Sequence, residues 1–283
     1  MTASFRIIGS IVPDSPVVLS VPHAGRDYPA GMGAALRAPT AQLSALEDRH
    51  VDAVALGARL DETLLLQDAP RAWIDLNRAE HERDPLLDDG ARRSPLSAKV
   101  RAGLGIVPRR TVATGDVWRR RLGADEVEAR IAADHRPYHD ALGAALARAR
   151  DRFGVAVLLD IHSMPSLPGG RTRVVVGDRF GRAASARFVQ RVESEIAGAG
   201  LAHALNSPYA GGYILERHAR PSEQVHGVQL EIDRALYLDA RLDQPGPGLA
   251  RTVTLVRAII DALRDEALTG IGTAGSDFAQ AAE

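Results

Sequence analysis

Two short apolar runs that each deliver a histidine constrain this chain more than anything else in it. Val17-Val18-Leu19-Ser20-Val21 leads to Pro22-His23-Ala24-Gly25, and Val155-Ala156-Val157-Leu158-Leu159 leads through Asp160-Ile161 to His162-Ser163-Met164-Pro165. The second run is short, β-branched at Val155 and Val157, and bounded by Gly154 and Pro165, so it suits a buried strand. His162 is then expected just past the carboxyl end of that strand, where open α/β sheets place their ligands. His23 ends the first run in the same way, and the pair is a far stronger signal than either alone.

Further apolar runs at 72–76, 173–177 and 228–232 alternate with helical periodicity over 41–60, 124–152, 183–199 and 248–268. That alternation implies an α/β fold with a mixed central sheet. Asp125 followed by Glu128 reads as an N-terminal helix cap, and Pro137 should kink or end the first half of its helix. Residues 84–114 are rich in Arg, Pro and Gly without a clear period, so an irregular insertion carrying ligand-facing loops is expected there. No linker divides 1–269, which reads as one catalytic domain, and 270–283 reads as a flexible C-terminal tail.

The absence of cysteine excludes a disulfide framework, a thiolate metal site and a cysteine nucleophile together. Any metal must be held by imidazole and carboxylate. A formal net charge of -1 argues against nucleic acid as a partner, and Arg-rich stretches such as 119–130 are interleaved with acids. No apolar segment approaches the roughly 20 residues that span a bilayer, and the N-terminus lacks a basic stretch followed by an apolar core, so a cytoplasmic address is expected. No G-x-S-x-G surrounds any serine, and no phosphate-binding glycine loop is present.

His23 and His162 are too far apart for a zinc finger or a helical HExxH pair, so the fold must assemble their site. A hydrolytic zinc takes three protein ligands and leaves one position open, and the third here should be a carboxylate. Asp27, Glu47 and Asp48 are the candidates. Trp73-Ile74-Asp75-Leu76-Asn77-Arg78 reads as a third strand ending in an Asn-Arg pair suited to gripping a carboxylate. Glu231 interrupts the apolar strand Val228-Gln229-Leu230-Glu231-Ile232, a position that suits a general base beside a metal. The loop Asn206-Ser207-Pro208-Tyr209-Ala210-Gly211-Gly212-Tyr213 allows close backbone approach to a ligand, at Gly212 in particular, and Arg171 and Arg173 offer a second carboxylate clamp.

In order and spacing, these segments, together with Asp48-Arg49-His50-Val51-Asp52, Pro137-Tyr138-His139 and Gly177-Asp178-Arg179, resemble the N-formylglutamate amidohydrolase family over about residues 15 to 240. The resemblance implies a three-layer α/β sandwich of the phosphorylase/hydrolase-like kind shared with zinc carboxypeptidases. It implies a zinc enzyme, with other divalent metals open, that splits N-formyl-L-glutamate into formate and L-glutamate, commonly the last step of a bacterial histidine degradation route. His23 and His162 match the metal histidines, Asn77-Arg78 the pair that holds the substrate carboxylate, and Glu231 the glutamate that activates water. Carboxypeptidase relatives take a zinc carboxylate three residues after the first histidine, where this chain has Arg26, so the third ligand must lie elsewhere; Asp48 is favoured, with Asp27 and Glu47 as alternatives. Arg171 or Arg173 would hold the second carboxylate, Tyr213 would donate to the oxyanion, and Asp160 is a weaker candidate to orient His162. The expected partner is a small acidic N-acyl amino acid, with no nucleic acid, no membrane and the oligomeric state open. The rival readings are a deacylase or carboxypeptidase-like hydrolase for another N-acyl acidic amino acid, and a noncatalytic metal-dependent binder of acidic metabolites.

Overall fold

A computed structural model describes residues 4–37, 39–92, 95–111 and 115–277, with side chains described as far as 269. Seven strands form the main sheet: β1 (Phe5–Ile8), β2 (Val17–Val21), β3 (Thr63–Gln67), β4 (Ala156–Met164), β5 (Val174–Gly177), β6 (His203–Leu205) and β7 (Val225–Asp233). Their spatial order is β1-β3-β2-β4-β7-β5-β6. β3, β2, β4 and β7 run parallel, β1 is antiparallel to β3, and β5 with β6 runs against β7. The sheet is therefore mixed, and its central strand β4 is buried along its whole length.

The principal helices are α1 (Val51–Ala58), α2 (Arg136–Phe153), α3 (Ala186–Gly198), α4 (Tyr213–His218) and α5 (Leu249–Asp277). Side-chain alternation along β2 sorts them into layers. Val17, Leu19 and Val21 pack in one core with Val54 of α1, Val192 of α3 and Ile259 of α5. Val18 enters the opposite core with Leu142 of α2 and Ile214 of α4. The result is a three-layer α/β sandwich. No helix among the described residues is long and apolar enough to cross a membrane.

Several expectations shift. The run 72–76 is not a strand but a series of turns, because Asp75 bends the chain back by accepting the Asn77 N–H at 2.9 Å. The strand that fills its place in the sheet is Thr63–Gln67, which lies just beyond the expected helix 41–60 and outside the expected strands. That helix, 41–60, splits into a 3-10 segment Thr40–Leu46 and α1, with His50 at φ 56 between them. His162 lies inside β4 rather than past its end. The 124–152 helix is observed as Ala124–Arg130, a wider π turn Ile131–His135 and α2, which admits Pro137 in its first turn where no N–H is needed. Its cap moves to Gly123, whose N–H donates to Glu126 at 3.3 Å, in place of Asp125 and Glu128. The 84–114 insertion carries a short helix Ala98–Arg101 and a two-residue strand Arg110–Thr111 paired with Gly115–Asp116; its residues 93, 94 and 112–114 lie outside the described residues. α5 continues through 270–277 of the expected tail, and 278–283 lie outside the described residues.

Candidate metal centre and its cavity

Among the described residues, His23, Asp48 and His162 form a buried set whose ligand atoms lie within 4.8 Å of one another. His23 follows β2, His162 projects from β4, and Asp48 comes from the loop before α1, where its N–H donates to the carbonyl of His23 at 2.9 Å. Asp48 Oδ2 lies 3.0 Å from His162 Nδ1 and 3.6 Å from His23 Nδ1. Ligands about 2.0–2.1 Å from one tetrahedral ion stand about 3.3 Å apart, so these spacings suit a shared cation. His23 Nδ1 is buried and has no hydrogen-bond partner, an orphan that a metal would satisfy.

Each imidazole is turned by a second carboxylate on its far nitrogen. His23 Nε2 meets Asp75 Oδ1 at 2.7 Å, and His162 Nε2 meets Asp160 Oδ2 at 2.8 Å. Asp160 and His162 are two residues apart on a strand and so share a face, which makes this contact a consequence of strand geometry. Asp160 is itself held by the Ser20 hydroxyl at 2.7 Å. Such partners fix which nitrogen faces the metal and raise its basicity. Burial opposes the charge on Asp48, but the hydrogen bond with His162 and the nearby His23 imidazole outweigh it and hold its carboxyl well below the usual range. Burial likewise opposes protonation of His162, and the neighbouring Asp160 and Asp48 reverse that.

The competing carboxylates are committed elsewhere. Glu47 accepts from Tyr28 Oη at 2.7 Å and from Arg49 at 2.8 Å. Asp27 lines a separate polar cavity, and Arg26, three residues after His23, pairs with Asp52 at 2.8 Å. Arg234 steadies Asp48, with Nη2 at 3.4 Å from Oδ1, while its Nε donates to Ser163 Oγ at 3.1 Å.

The three donors open into a cavity of about 240 Å³. Glu231 sits in its wall because β7 registers it opposite His162 of β4. Removal from water pushes its carboxyl up to about 8, Asp48 adding to the effect and His162 opposing it, and Gln229 Nε2 donates to it at 2.9 Å. Other lining residues include Asn77, Arg78, Gly212, Arg71, Lys99 and Tyr209.

The wall containing Asn77 and Arg78 has no regular secondary structure, and side chains fix it instead. His139 Nε2 donates to the Leu76 carbonyl at 2.9 Å, so its Nδ1 must accept from His218 Nε2, also at 2.9 Å. His135 Nε2 donates to the Arg78 carbonyl at 2.8 Å. These two carbonyls flank Asn77, whose Oδ1 accepts the Ile214 N–H at 2.9 Å. Gly212 is required beside it, since a Cβ there would lie 2.3 Å from Asn77 Oδ1. Arg78 Nη1 donates to the Asn77 carbonyl at 2.6 Å and Nε to the Leu104 carbonyl at 3.0 Å, which aims the guanidinium into the cavity.

Of the candidate site residues, His23, Asp48, His162, Glu231, Asn77, Arg78 and Gly212 therefore converge. Tyr213, Arg171 and Arg173 do not line the cavity. The Tyr213 ring lies against His135 and His139 and its hydroxyl accepts from Arg217 at 3.1 Å, while Arg173 Nε lies 2.9 Å from Asp233 and Arg171 is exposed. Sequence reasoning assigned no role to Asp75, although an acid between Ile74 and Leu76 is the signature of a buried carboxylate seeking cations. It is fully buried, and although burial works against its charge, Arg71, His23 and Arg78 hold its carboxyl well below the usual range. Arg71, Lys99, Gln229 and Arg234 also passed unseen.

Comparison with known proteins agrees with this geometry. The profile of the N-formylglutamate amidohydrolase family matches residues 15–238. The chain is 28% identical over 262 residues to an N-formylglutamate deformylase of Pseudomonas aeruginosa, covering 89% of this chain and 92% of that protein. It is 27% identical over 231 residues to one of Pseudomonas putida, covering 79% and 82% respectively. The crystal structure of an N-formylglutamate amidohydrolase from Ralstonia eutropha superposes with a TM-score of 0.85 at 32% identity, over 95% of this chain and 99% of that one. The chain belongs to the N-formylglutamate amidohydrolase family.

Proposed function

We propose that this protein hydrolyses the formyl C–N bond of N-formyl-L-glutamate, releasing formate and L-glutamate. One observation carries the reading: a buried His-Asp-His donor set and a strand glutamate share a small cavity with cationic side chains. Its volume of about 240 Å³ falls below the roughly 300–1,000 Å³ of sites for drug-sized ligands, which suits a modified amino acid.

His23, Asp48 and His162 would hold a divalent metal, and two nitrogens with one carboxylate oxygen favour zinc. Such an ion would supply Lewis acidity toward the formyl oxygen and toward water. Glu231 takes a proton from the attacking water as the C–O bond forms, and delivers it to the amide nitrogen as the C–N bond breaks. Gln229 keeps the Glu231 carboxylate oriented for both transfers. Arg78 pairs with one substrate carboxylate, and Asn77 acts mainly as the strut that sets its position. Donors for the developing oxyanion are at hand in Arg71 and Tyr209, which line the cavity, rather than in Tyr213.

The decisive experiment follows formate release from N-formyl-L-glutamate by protein as isolated, after chelation, and after zinc is restored. Release that disappears and returns with zinc is the expected result. A zinc-loaded protein that releases no formate overturns the reading.

A further inference from the structure

The cavity carries more positive charge than its acids balance. Arg71, Arg78, Lys99 and Arg234 all line it, against the carboxyl groups of Asp48 and Glu231. Arg234 is matched by Asp48 at 3.4 Å. Asp75 must serve two guanidiniums, with Arg71 at 2.9 Å and Arg78 at 3.9 Å. Among the described residues, Lys99 has neither an ion pair nor a side-chain hydrogen bond.

Lys99 is nonetheless set close to Arg78 by construction. It lies in the short helix Ala98–Arg101, where Ser97 Oγ accepts the Val100 N–H at 3.3 Å and donates to Glu82 at 2.8 Å; the other Glu82 oxygen accepts the Ala79 N–H at 3.0 Å. Leu104 closes the link. Its N–H donates to the Lys99 carbonyl at 2.9 Å, and its own carbonyl accepts from Arg78 Nε at 3.0 Å. The side chain is exposed, yet loss of water on its cavity side, and then repulsion from Arg78 and Arg71, lower the Lys99 pKa below the ordinary lysine value, with Asp75 and Glu231 opposing the shift. Like charges gathered at one cavity wall favour an anion of matching charge there.

We infer that Lys99 is the second carboxylate-binding residue of the site. Arg78 holds the α-carboxylate of the ligand, Lys99 holds the side-chain carboxylate, and the pair selects dicarboxylic over monocarboxylic N-acyl amino acids. The inference deepens the proposed function and takes the reacting amide from it, but the selectivity can be measured without turnover.

The test uses the zinc-reconstituted Glu231→Gln protein, with Lys99 intact, Lys99→Met or Lys99→Arg, titrated calorimetrically with N-formyl-L-glutamate and with its uncharged isostere N-formyl-L-glutamine. With Lys99 intact, the glutamate compound binds more tightly. Lys99→Met removes roughly 10- to 100-fold of that preference, as expected for a lost hydrogen bond to a charged group, and Lys99→Arg keeps most of it. In proteins with Glu231 intact, the same loss appears mainly in KM. A preference that survives Lys99→Met unchanged overturns the inference and leaves Lys99 a solvated charge at the mouth. A Lys99-dependent preference without formate release keeps the subsite and removes the proposed reaction, formate release with a Lys99-independent preference does the reverse, and neither effect removes both.

Discussion

The two walls of the cavity are built on different principles. His162 and Glu231 stand on β4 and β7 and are brought face to face by backbone ladder register, with His23 just beyond β2. The opposite wall, with Arg71, Asn77, Arg78 and Lys99, owes its shape to side-chain bonds from His135 and His139, to the buried Asp75 and to the link through Leu104. The comparison teaches a division of labour. Groups that must meet within a fraction of an ångström sit on or next to the sheet, and groups that choose the ligand sit on a loop, joined to His23 through Asp75.

The largest expected effect tests the strand wall directly. Glu231→Gln should lower kcat by roughly 10²- to 10⁴-fold while zinc content, measured by elemental analysis, stays at the wild-type level. Hydrolysis retained at the wild-type rate would remove Glu231 as the base. Next come the carboxylates behind the histidines, which separate the two walls. Asp160→Asn and Asp75→Asn should each weaken zinc affinity by roughly 10- to 100-fold in a chelator competition. Asp75 also anchors Arg71 and the 75–78 turn, so its variant alone should raise KM as well. Equal kinetic effects of the two would erase the distinction.

A smaller effect is expected from the histidine brace. His139→Phe leaves the Leu76 carbonyl without its donor, at a cost of about 1–3 kcal/mol, readable as a lower Tm together with a raised KM. Acid provides the same test without mutation. Burial, the first cause in each case, lowers His139 to about 2 and His218 to about 3. Below about pH 6.5 the unfolded chain takes up protons that these folded imidazoles refuse, so this contribution is absent above that pH and destabilises progressively as pH falls. Tm should therefore drop with acid, and less steeply in His139→Phe; identical slopes would count against the brace. The smallest effect on kcat/KM belongs to Arg171→Ala and Arg173→Ala, each expected to change it by less than about twofold because neither side chain lines the cavity, although Arg173→Ala also lowers Tm by leaving the buried Asp233 without its ion pair. A tenfold loss in either would mean that the second carboxylate lies on that side.

Much of the chemistry is readable in the residues themselves. A buried strand advertises itself through a local run of apolar, β-branched side chains, so the strands bearing His162 and Glu231, the histidine that follows β2, and the exclusion of sulfur ligands all follow from short stretches of chain. Tertiary structure alone decides among Asp27, Glu47 and Asp48, because all three are plausible ligands until Tyr28 and Arg49 claim Glu47 and the loop before α1 turns Asp48 toward His162. It likewise decides that Tyr213 packs on histidines and does not line the cavity, that 72–76 is not a strand, and that Arg71 and Lys99 meet at one wall. Such outcomes depend on partners distant in sequence and on segments without a period, where no local pattern records which side chain will be near which. The repeating backbone geometry of a strand is written in its own residues; the electrostatic partnership of a loop exists only after the rest of the chain has closed around it.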